Sequence, residues 1–226
     1  KHQHQAIKKL KKNFTSDDIL LHIDFSENFS CKHSQEIQSF NFGGSRRQVT
    51  LHTVMLYTHS EKKAICSISS DLSHDPVAIL GHLQPILAEY PNAKNVHFYS
   101  DSPTTQYRSR KMFYVMIEKI IPLFNDLKSF TWNYSEAGHG KGAPDGIGGA
   151  VERMCDQVIA AGAQDIADSE QCAKYLQENS QKIDIKIADG ATQNPELAKT
   201  LNNAPKVKGK ILFDSIFSLV RYSIYL

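Results

Sequence analysis

The octapeptide ILLHIDFS, residues 19–26, is an apolar run that ends in polar side chains. This pattern is typical of a buried β-strand whose last residues reach the edge of a sheet. Residues 48–58, QVTLHTVMLYT, are rich in β-branched and aromatic side chains and predict a second strand. Residues 63–70 alternate apolar and polar side chains and predict a third strand. The short link between the second and third strands favours an antiparallel hairpin.

After this hairpin the pattern alternates between helix and strand. Residues 75–90 place apolar side chains at helical spacing, behind an Asp-Pro pair that suits an N-cap and the first helical position. Residues 95–101 and 129–135 predict the fourth and fifth strands. Residues 104–124 and 146–161 predict the helices that follow them.

The element order β-β-β-α-β-α-β-α predicts an α/β domain with the ribonuclease H-like plan, a mixed five-stranded sheet with flanking helices. A flavodoxin-like fold would alternate strand and helix from its first strand, so the hairpin argues against it. The predicted division is a basic N-terminal segment (1–16), the ribonuclease H-like core (17–162) and a helical C-terminal extension (163–226). The apolar end of the extension differs from the rest, and we expect it to be truncated.

The composition of the chain indicates an intracellular protein but does not identify its class of partner. Lys and Arg total 26 against 24 for Asp and Glu, a balance that does not by itself predict nucleic-acid binding. The four cysteines form no CxxC pair and lack zinc-finger spacing, which favours a reduced intracellular protein. We expect no membrane association, because the start is polar and the apolar end is shorter than the roughly 20 residues that a span needs.

Acidic residues lie where the predicted strands end. Asp24 closes the first strand and Asp101 closes the fourth. Carboxylates that converge near strand ends hold one or two Mg²⁺ or Mn²⁺ ions, which prefer oxygen ligands. Two such metals can activate a nucleophile and stabilise the leaving oxygen at phosphorus. A lone aspartate at a strand end is more often a turn former, but acids at both expected ends favour a two-metal site.

The third acid of such a site has three candidates in the sequence, and spacing alone leaves them open: Glu136, Asp145 and Glu152. Residues 136–149, EAGHGKGAPDGIGG, are glycine-rich and predict a flexible active-site loop. No Ser or Thr follows the Gly-Lys pair, so the stretch departs from the Walker pattern. His139 and Lys141 in this loop are candidates to contact a phosphate or the leaving group.

Two further groups of polar residues are candidate nucleic-acid contacts. Gln106 and Arg108 follow Asp101 in what we predict to be the first turns of a helix, where they could hold a phosphate backbone. Arg46 and Arg47 precede the second strand and form a small basic patch. A solvated turn explains the arginine pair equally well.

Three motifs in the chain resemble animal transposon-encoded proteins: DFSENFSCKHSQEIQSFNFGG (24–44), YSDSPTTQYRSRKMF (99–113) and WNYSEAGHGKGAPDGIGGAVER (132–153). They are similar to DDE/D-type transposase domains with a ribonuclease H-like core, over residues 17–162. The resemblance implies metal-dependent cleavage and transfer of DNA strands, with transposon ends and target DNA as partners. It also implies a nuclear location and a homo-oligomer.

The resemblance assigns Asp24 as the first catalytic acid and Asp101 as the second, both metal ligands. It favours Asp145 as the third, because this residue lies within the GHGKGxxDGIGG wording, while Glu136 and Glu152 stay open. The chain departs from the family at Ser102, where glycine is expected. It also shows no zinc finger or helix-turn-helix beside the core.

These observations leave alternative functions open. A catalytically inactive, domesticated transposase domain that binds DNA or protein is one, favoured by the missing DNA-binding module. A nuclease of the same fold that acts on RNA or hybrids is another, because the contacts that recognise a 2′-hydroxyl cannot be read from the sequence. The intact acids favour the DNA-cleaving enzyme.

Overall fold

The central feature of the structure, a computed structural model, is one mixed sheet. The structure describes residues 2–32, 47–101, 106–135, 142–188, 192–204, 211–214 and 219–225. In chain order the strands and α-helices are α1 (His2–Lys12), β1 (Asp18–Phe25), β2 (Phe29–Ser30), β3 (Gln48–Tyr57), β4 (Lys62–Ser69), α2 (Pro76–Leu87), β5 (Asn95–Ser100), α3 (Arg110–Val115), β6 (Ser129–Tyr134), α4 (Ala143–Ala160), α5 (Ser169–Asn179), β7 (Ile183–Ile187), α6 (Pro195–Asn202), β8 (Ile211–Asp214) and β9 (Leu219–Tyr225). A π-helical turn (Met116–Ile120) and a 3₁₀ turn (Ile121–Leu123) continue α3.

The strand order confirms the mixed α/β class. Neighbouring strands follow the order β7-β4-β3-β1-β5-β6-β9-β8, and β2 pairs with β3 outside this path. Strands β3 and β4 form the predicted antiparallel hairpin, and β3 is also antiparallel to β1. Strands β1, β5 and β6 are parallel neighbours, so their carboxyl ends meet at one edge of the sheet.

The five-stranded sheet of the prediction is incomplete, because nine strands join the sheet within the described ranges. Strand β2 has two residues, too few for a periodic signal. Strand β7 lies in the region predicted to be helical, where its sequence IDIKI pairs in parallel with β4. Strands β8 and β9 form from the apolar end and extend the sheet beyond β6. Such short strands are stabilised by pairing with neighbours rather than by local propensity.

Two predicted helix starts were wrong. The helix after β5 begins at Arg110 and not at residue 104, and the hydroxyl of Ser109 caps it by accepting the Met112 N–H at 3.1 Å. Residues 106–108 therefore form a turn that precedes the helix. Helix α4 begins at Ala143, three residues earlier than predicted, so residues 143–149 are helical rather than loop. Pro144 in its first turn costs no hydrogen bond, because the first N–H groups of a helix have no intrahelical partner.

Apolar side chains pack on both faces of the sheet. Helices α2 and α3 cover one face, with Trp132 and Phe98 stacked beneath them at 4.4 Å between ring centroids. Helices α4 and α5 cover the other face, over β3 and β4. All four cysteines are buried in this second core as free thiols: Cys31, Cys66, Cys155 and Cys172. Within the described part of the chain, no helix is both long and apolar enough to cross a membrane.

Candidate active site

Asp24 and Asp101 lie side by side at the carboxyl edge of the sheet. Strand β1 pairs in parallel with β5, with His22 opposite Tyr99. Continuing this register by two residues places Asp24 level with Asp101, which directly follows β5. Side chains two residues apart share a face of a strand. Both carboxylates therefore project from the face that α4 covers.

Two glycines let the start of α4 lie directly against β1. A Cβ added at Gly142 would stand 2.5 Å from Cε1 of His22. One added at Gly148 would stand 1.9 Å from Oγ of Ser26. A side chain at Gly142 would have to displace the His22 ring, and one at Gly148 would also meet the Cβ of Ser26 at 2.9 Å, so that the helix would have to move. Asp145 lies between Gly142 and Gly148, in the first turn of α4.

The carboxylate of Asp145 also caps its own helix. Its Oδ2 accepts the N–H of Gly142 at 2.6 Å. A carboxylate in the first turn is favoured by the free N–H groups and by the helix dipole. This bond leaves the second oxygen of the carboxylate as the one that could face a ligand.

The charges of the three aspartates act on one another. Burial, together with the charges of Asp101 and Asp145, raises the pKa of Asp24 to about 7. Burial and the charge of Asp145 raise the pKa of Asp101. The Oδ1 atom of Asp101 is buried and has no hydrogen-bond partner among the described residues. Like charges held together in this way favour the binding of a proton or a cation.

Glu152 belongs to a different acidic group. Burial and the charges of Glu27 and Asp156 raise its pKa. Asp156 is paired with Lys32 at 2.6 Å. Neither Asp24 nor Asp101 is among the charges that shift Glu152, which lies about two turns beyond Asp145 on α4. The identity of the third acid stays a prediction.

The remaining predicted contact residues fall into two groups. Arg47 is exposed and precedes β3. Because β3 runs antiparallel to β1, Arg47 lies at the same sheet edge as the acids. Gln106 and Arg108 are half-buried in the turn that follows Asp101. The other candidates lie outside the described residues: Arg46, Glu136, His139 and Lys141.

The sequence did not single out a cluster of histidines around Phe25, the residue next to Asp24. His74 stacks on the Phe25 ring at 4.0 Å, and His52 and His82 lie at 4.5 and 5.8 Å from it. Both His52 and His82 are fully buried. His52 lies on β3, His82 on α2 and His74 in the loop before α2, so no regular spacing in the sequence marks them as a group.

The donor set fits a hard divalent cation, although no finished site is present. In the described ranges, no group of three or more His, Cys, Asp or Glu is arranged to hold a metal ion. Carboxylate oxygens are nevertheless the ligands that Mg²⁺ and Mn²⁺ prefer. A bound cation would offset the repulsion between the aspartates and would give a partner to Oδ1 of Asp101, which has none among the described side chains and backbone.

We expect the metal-free protein to lose stability as the pH rises. The pKa of Asp24 is about 7 in the folded chain and 3.8 ordinarily. Between these values the folded state holds a proton that the unfolded state has released, so stability falls as the pH rises from about 4 to 7. Thermal unfolding in EDTA across this range measures the fall. A smaller slope in Asp24→Asn assigns the difference to this residue, and the raised pKa of Asp101 accounts for a slope that remains.

The fold and the site define a mixed α/β domain with an acidic cluster at the carboxyl edge of its sheet. The chain belongs to the family described as domain of unknown function DUF8701, whose model matches residues 3–224. No curated protein matches the sequence.

Among solved structures, the chain is similar to the human cytomegalovirus terminase nuclease domain, with 9% identity and a TM-score of 0.33, over 91% of this chain and 82% of that one. The Mn-soaked form of that domain gives 9% identity and a TM-score of 0.34, over 87% and 77% of the two chains.

Proposed function

We propose that this domain is a divalent-metal-dependent nuclease of ribonuclease H-like fold that cleaves and transfers DNA strands, as transposases do. The observation that carries the proposal is the convergence of Asp24, Asp101 and Asp145 at the carboxyl edge of the sheet. Ligands of open α/β sheets bind at this edge. The three acids come from the end of β1, the residue after β5 and the first turn of α4, so no short sequence motif contains them all.

The proposed roles follow from the position of each residue. Asp24 and Asp101 hold the cation from adjacent strands, and Asp145 adds a carboxylate from the start of α4. A bound Mg²⁺ or Mn²⁺ would supply the activation of water or of a 3′-hydroxyl and the charge stabilisation at phosphorus. Arg47, exposed at the same edge, holds a backbone phosphate. Gln106 and Arg108 do the same beside Asp101.

The test is cleavage of labelled substrates with Mn²⁺ or Mg²⁺ and with EDTA. We expect duplex DNA to be cut only with the metal, and Asp101→Asn to lower the rate by roughly 10³-fold. A supercoiled target plasmid added with cut donor ends measures strand transfer. Cleavage of RNA or hybrids in place of DNA would favour the related nuclease, and metal-independent DNA binding without cleavage would favour an inactive module.

The third acid is tested by calorimetry with Mn²⁺ on two variants of the same helix. We expect Asp145→Asn to weaken binding by roughly 10- to 100-fold and Glu152→Gln to leave it unchanged. Both residues lie on α4, so a general disturbance of the helix would affect the two variants alike. The opposite result would transfer the third role to Glu152. If neither variant changes binding, Glu136 becomes the candidate.

The proposed transposase activity adds expectations about the assembly. A transposase acts on two DNA ends, so the proposal includes a homo-oligomer and a nuclear location. Light scattering with and without DNA ends checks the first expectation, and a tagged full-length protein in cells checks the second.

A further inference from the structure

A buried hydrogen-bonded pair, Tyr107 and His52, stands directly behind the acid cluster. Both side chains are fully buried, and the Tyr107 hydroxyl lies 3.0 Å from Nε2 of His52. Nδ1 of His52 is buried without a hydrogen-bond partner among the described residues. Within that part of the chain, the bond to Tyr107 is therefore the single hydrogen bond of the His52 ring. A fold that buries two polar side chains in an aromatic core sets a strong constraint on their positions.

Tyr107 ties the segment that follows Asp101 to three strands. Its hydroxyl reaches His52 on β3, and its ring stacks on Phe25 of β1 at 6.1 Å between centroids. Its main-chain oxygen accepts the hydroxyl of Tyr134, the last residue of β6, at 2.9 Å. Asp101 lies six residues earlier, just past the end of β5. These contacts anchor the chain at Tyr107, six residues after Asp101.

We propose that Tyr107, held by His52, is a positioning residue that fixes Asp101 beside Asp24 in the acid cluster. The inference rests on the proposed function and adds to it a set of residues that touches neither metal nor substrate. The aromatic ring packs against Phe25 and, at 6.3 Å between centroids, against the ring of His52 on β3, and the hydroxyl adds a directional hydrogen bond to His52. Removing the hydroxyl alone should therefore make the position of Asp101 less well defined while the ring still fills its place in the core.

The electrostatic surroundings agree with this placement. Burial, and after it the charges of Asp24 and Asp101, raise the pKa of Tyr107 well above its usual value, so the phenol stays neutral. Burial and the neighbouring His82 and His74 lower the pKa of His52, so its ring is neutral as well. The neutral Tyr107–His52 pair therefore places a fixed dipole, and no net charge, next to Asp24 and Asp101.

The experiment compares Tyr107→Phe with His52→Gln by Mn²⁺ calorimetry. Phenylalanine keeps the ring and loses the hydroxyl, and we expect the dissociation constant to rise roughly 5- to 10-fold. Glutamine keeps an N–H at a similar reach and can still bond to the Tyr107 oxygen, so we expect a change of less than about 2-fold. Unchanged binding in Tyr107→Phe would overturn the inference and leave the proposed function standing.

The double variant Tyr107→Phe/His52→Leu separates positioning from packing. Removing both partners of a buried hydrogen bond costs little stability, whereas removing one leaves the other unsatisfied. We expect the melting temperature to recover towards that of the wild type while Mn²⁺ binding stays weak. Recovery of both properties together would show that the pair only packs the core, and the inference would fail.

A second measurement needs no metal. We expect amide hydrogen exchange of the peptide spanning residues 100–109 to be at least roughly 5-fold faster in Tyr107→Phe than in the wild type, because the anchor is lost. If the wild type binds no Mn²⁺ but exchange is still faster in Tyr107→Phe, the anchoring role of Tyr107 is supported and the proposed function fails. Unchanged exchange would overturn the inference whatever the metal result.

Discussion

Replacing Asp24 by Asn is expected to abolish metal-dependent cleavage and, in the same protein, to raise the stability of the metal-free fold. The loss of activity follows from removing a ligand carboxylate, for which we expect a fall in rate of roughly 10³-fold or more. The gain in stability follows from removing a partly buried charge that two other carboxylates repel. Because Asp24 is partly open to solvent, which screens its charge, we expect a gain on the order of 1–3 kcal/mol at pH 8.

The two effects of Asp24→Asn have opposite signs, which makes the variant informative. A general disturbance of the fold would lower activity and stability together. Denaturant unfolding at pH 5 and pH 8 in EDTA, beside the cleavage assay, measures both. The gain should shrink at pH 5, where the wild-type carboxyl is mostly protonated. A variant that is inactive and also less stable at pH 8 would argue that Asp24 has a structural role.

Replacing Gly148 by Ala is expected to lower stability by about 1–3 kcal/mol and to weaken Mn²⁺ binding. The new Cβ would stand 1.9 Å from Oγ and 2.9 Å from Cβ of Ser26. The hydroxyl can rotate away, but the Ser26 Cβ is fixed to β1, so α4 has to move. Because Asp145 lies one turn earlier on α4, the displacement changes the distance between its carboxylate and Asp24.

Gly146 provides the matched control, two residues away on the same helix. A Cβ at this position would meet nothing within 4 Å. Alanine has a higher helix propensity than glycine, so Gly146→Ala should raise stability by about 0.5–1 kcal/mol and leave Mn²⁺ binding unchanged. Chemical denaturation and calorimetry on both variants measure the contrast. Equal behaviour of the two variants would mean that α4 does not need its close approach to β1.

The sequence predicted the elements that have a strong local pattern. The apolar run ending at Asp24 became β1, the hairpin became β3 and β4, and Asp75 caps α2 by accepting the N–H groups of Val77 and Ala78. Periodicity and capping act over a few residues, so they can be read without knowing the fold. The positions of Asp24 and Asp101 at strand ends were also visible this way.

Prediction from the sequence was less successful where contacts between distant residues determine the local conformation. The turn at Tyr107 replaces the predicted start of a helix because the side chain is buried against β1 and bonded to β3. Strand β7 forms where helix was predicted because β4 offers a partner. The histidines around Phe25 come from β3, from α2 and from the loop before α2, and their spacing in the sequence gives no pattern.

By itself, then, the sequence determined which residues carry charge and where the strong strands and helices lie, because these depend on local side-chain chemistry and periodicity. The tertiary structure decided which acids interact. It placed Asp145 in the field of Asp24 and Asp101 and put Glu152 beside Glu27 and Asp156. The reason is the packing of α4 on β1 through Gly142 and Gly148, a contact between residues more than 100 positions apart that no local signal records.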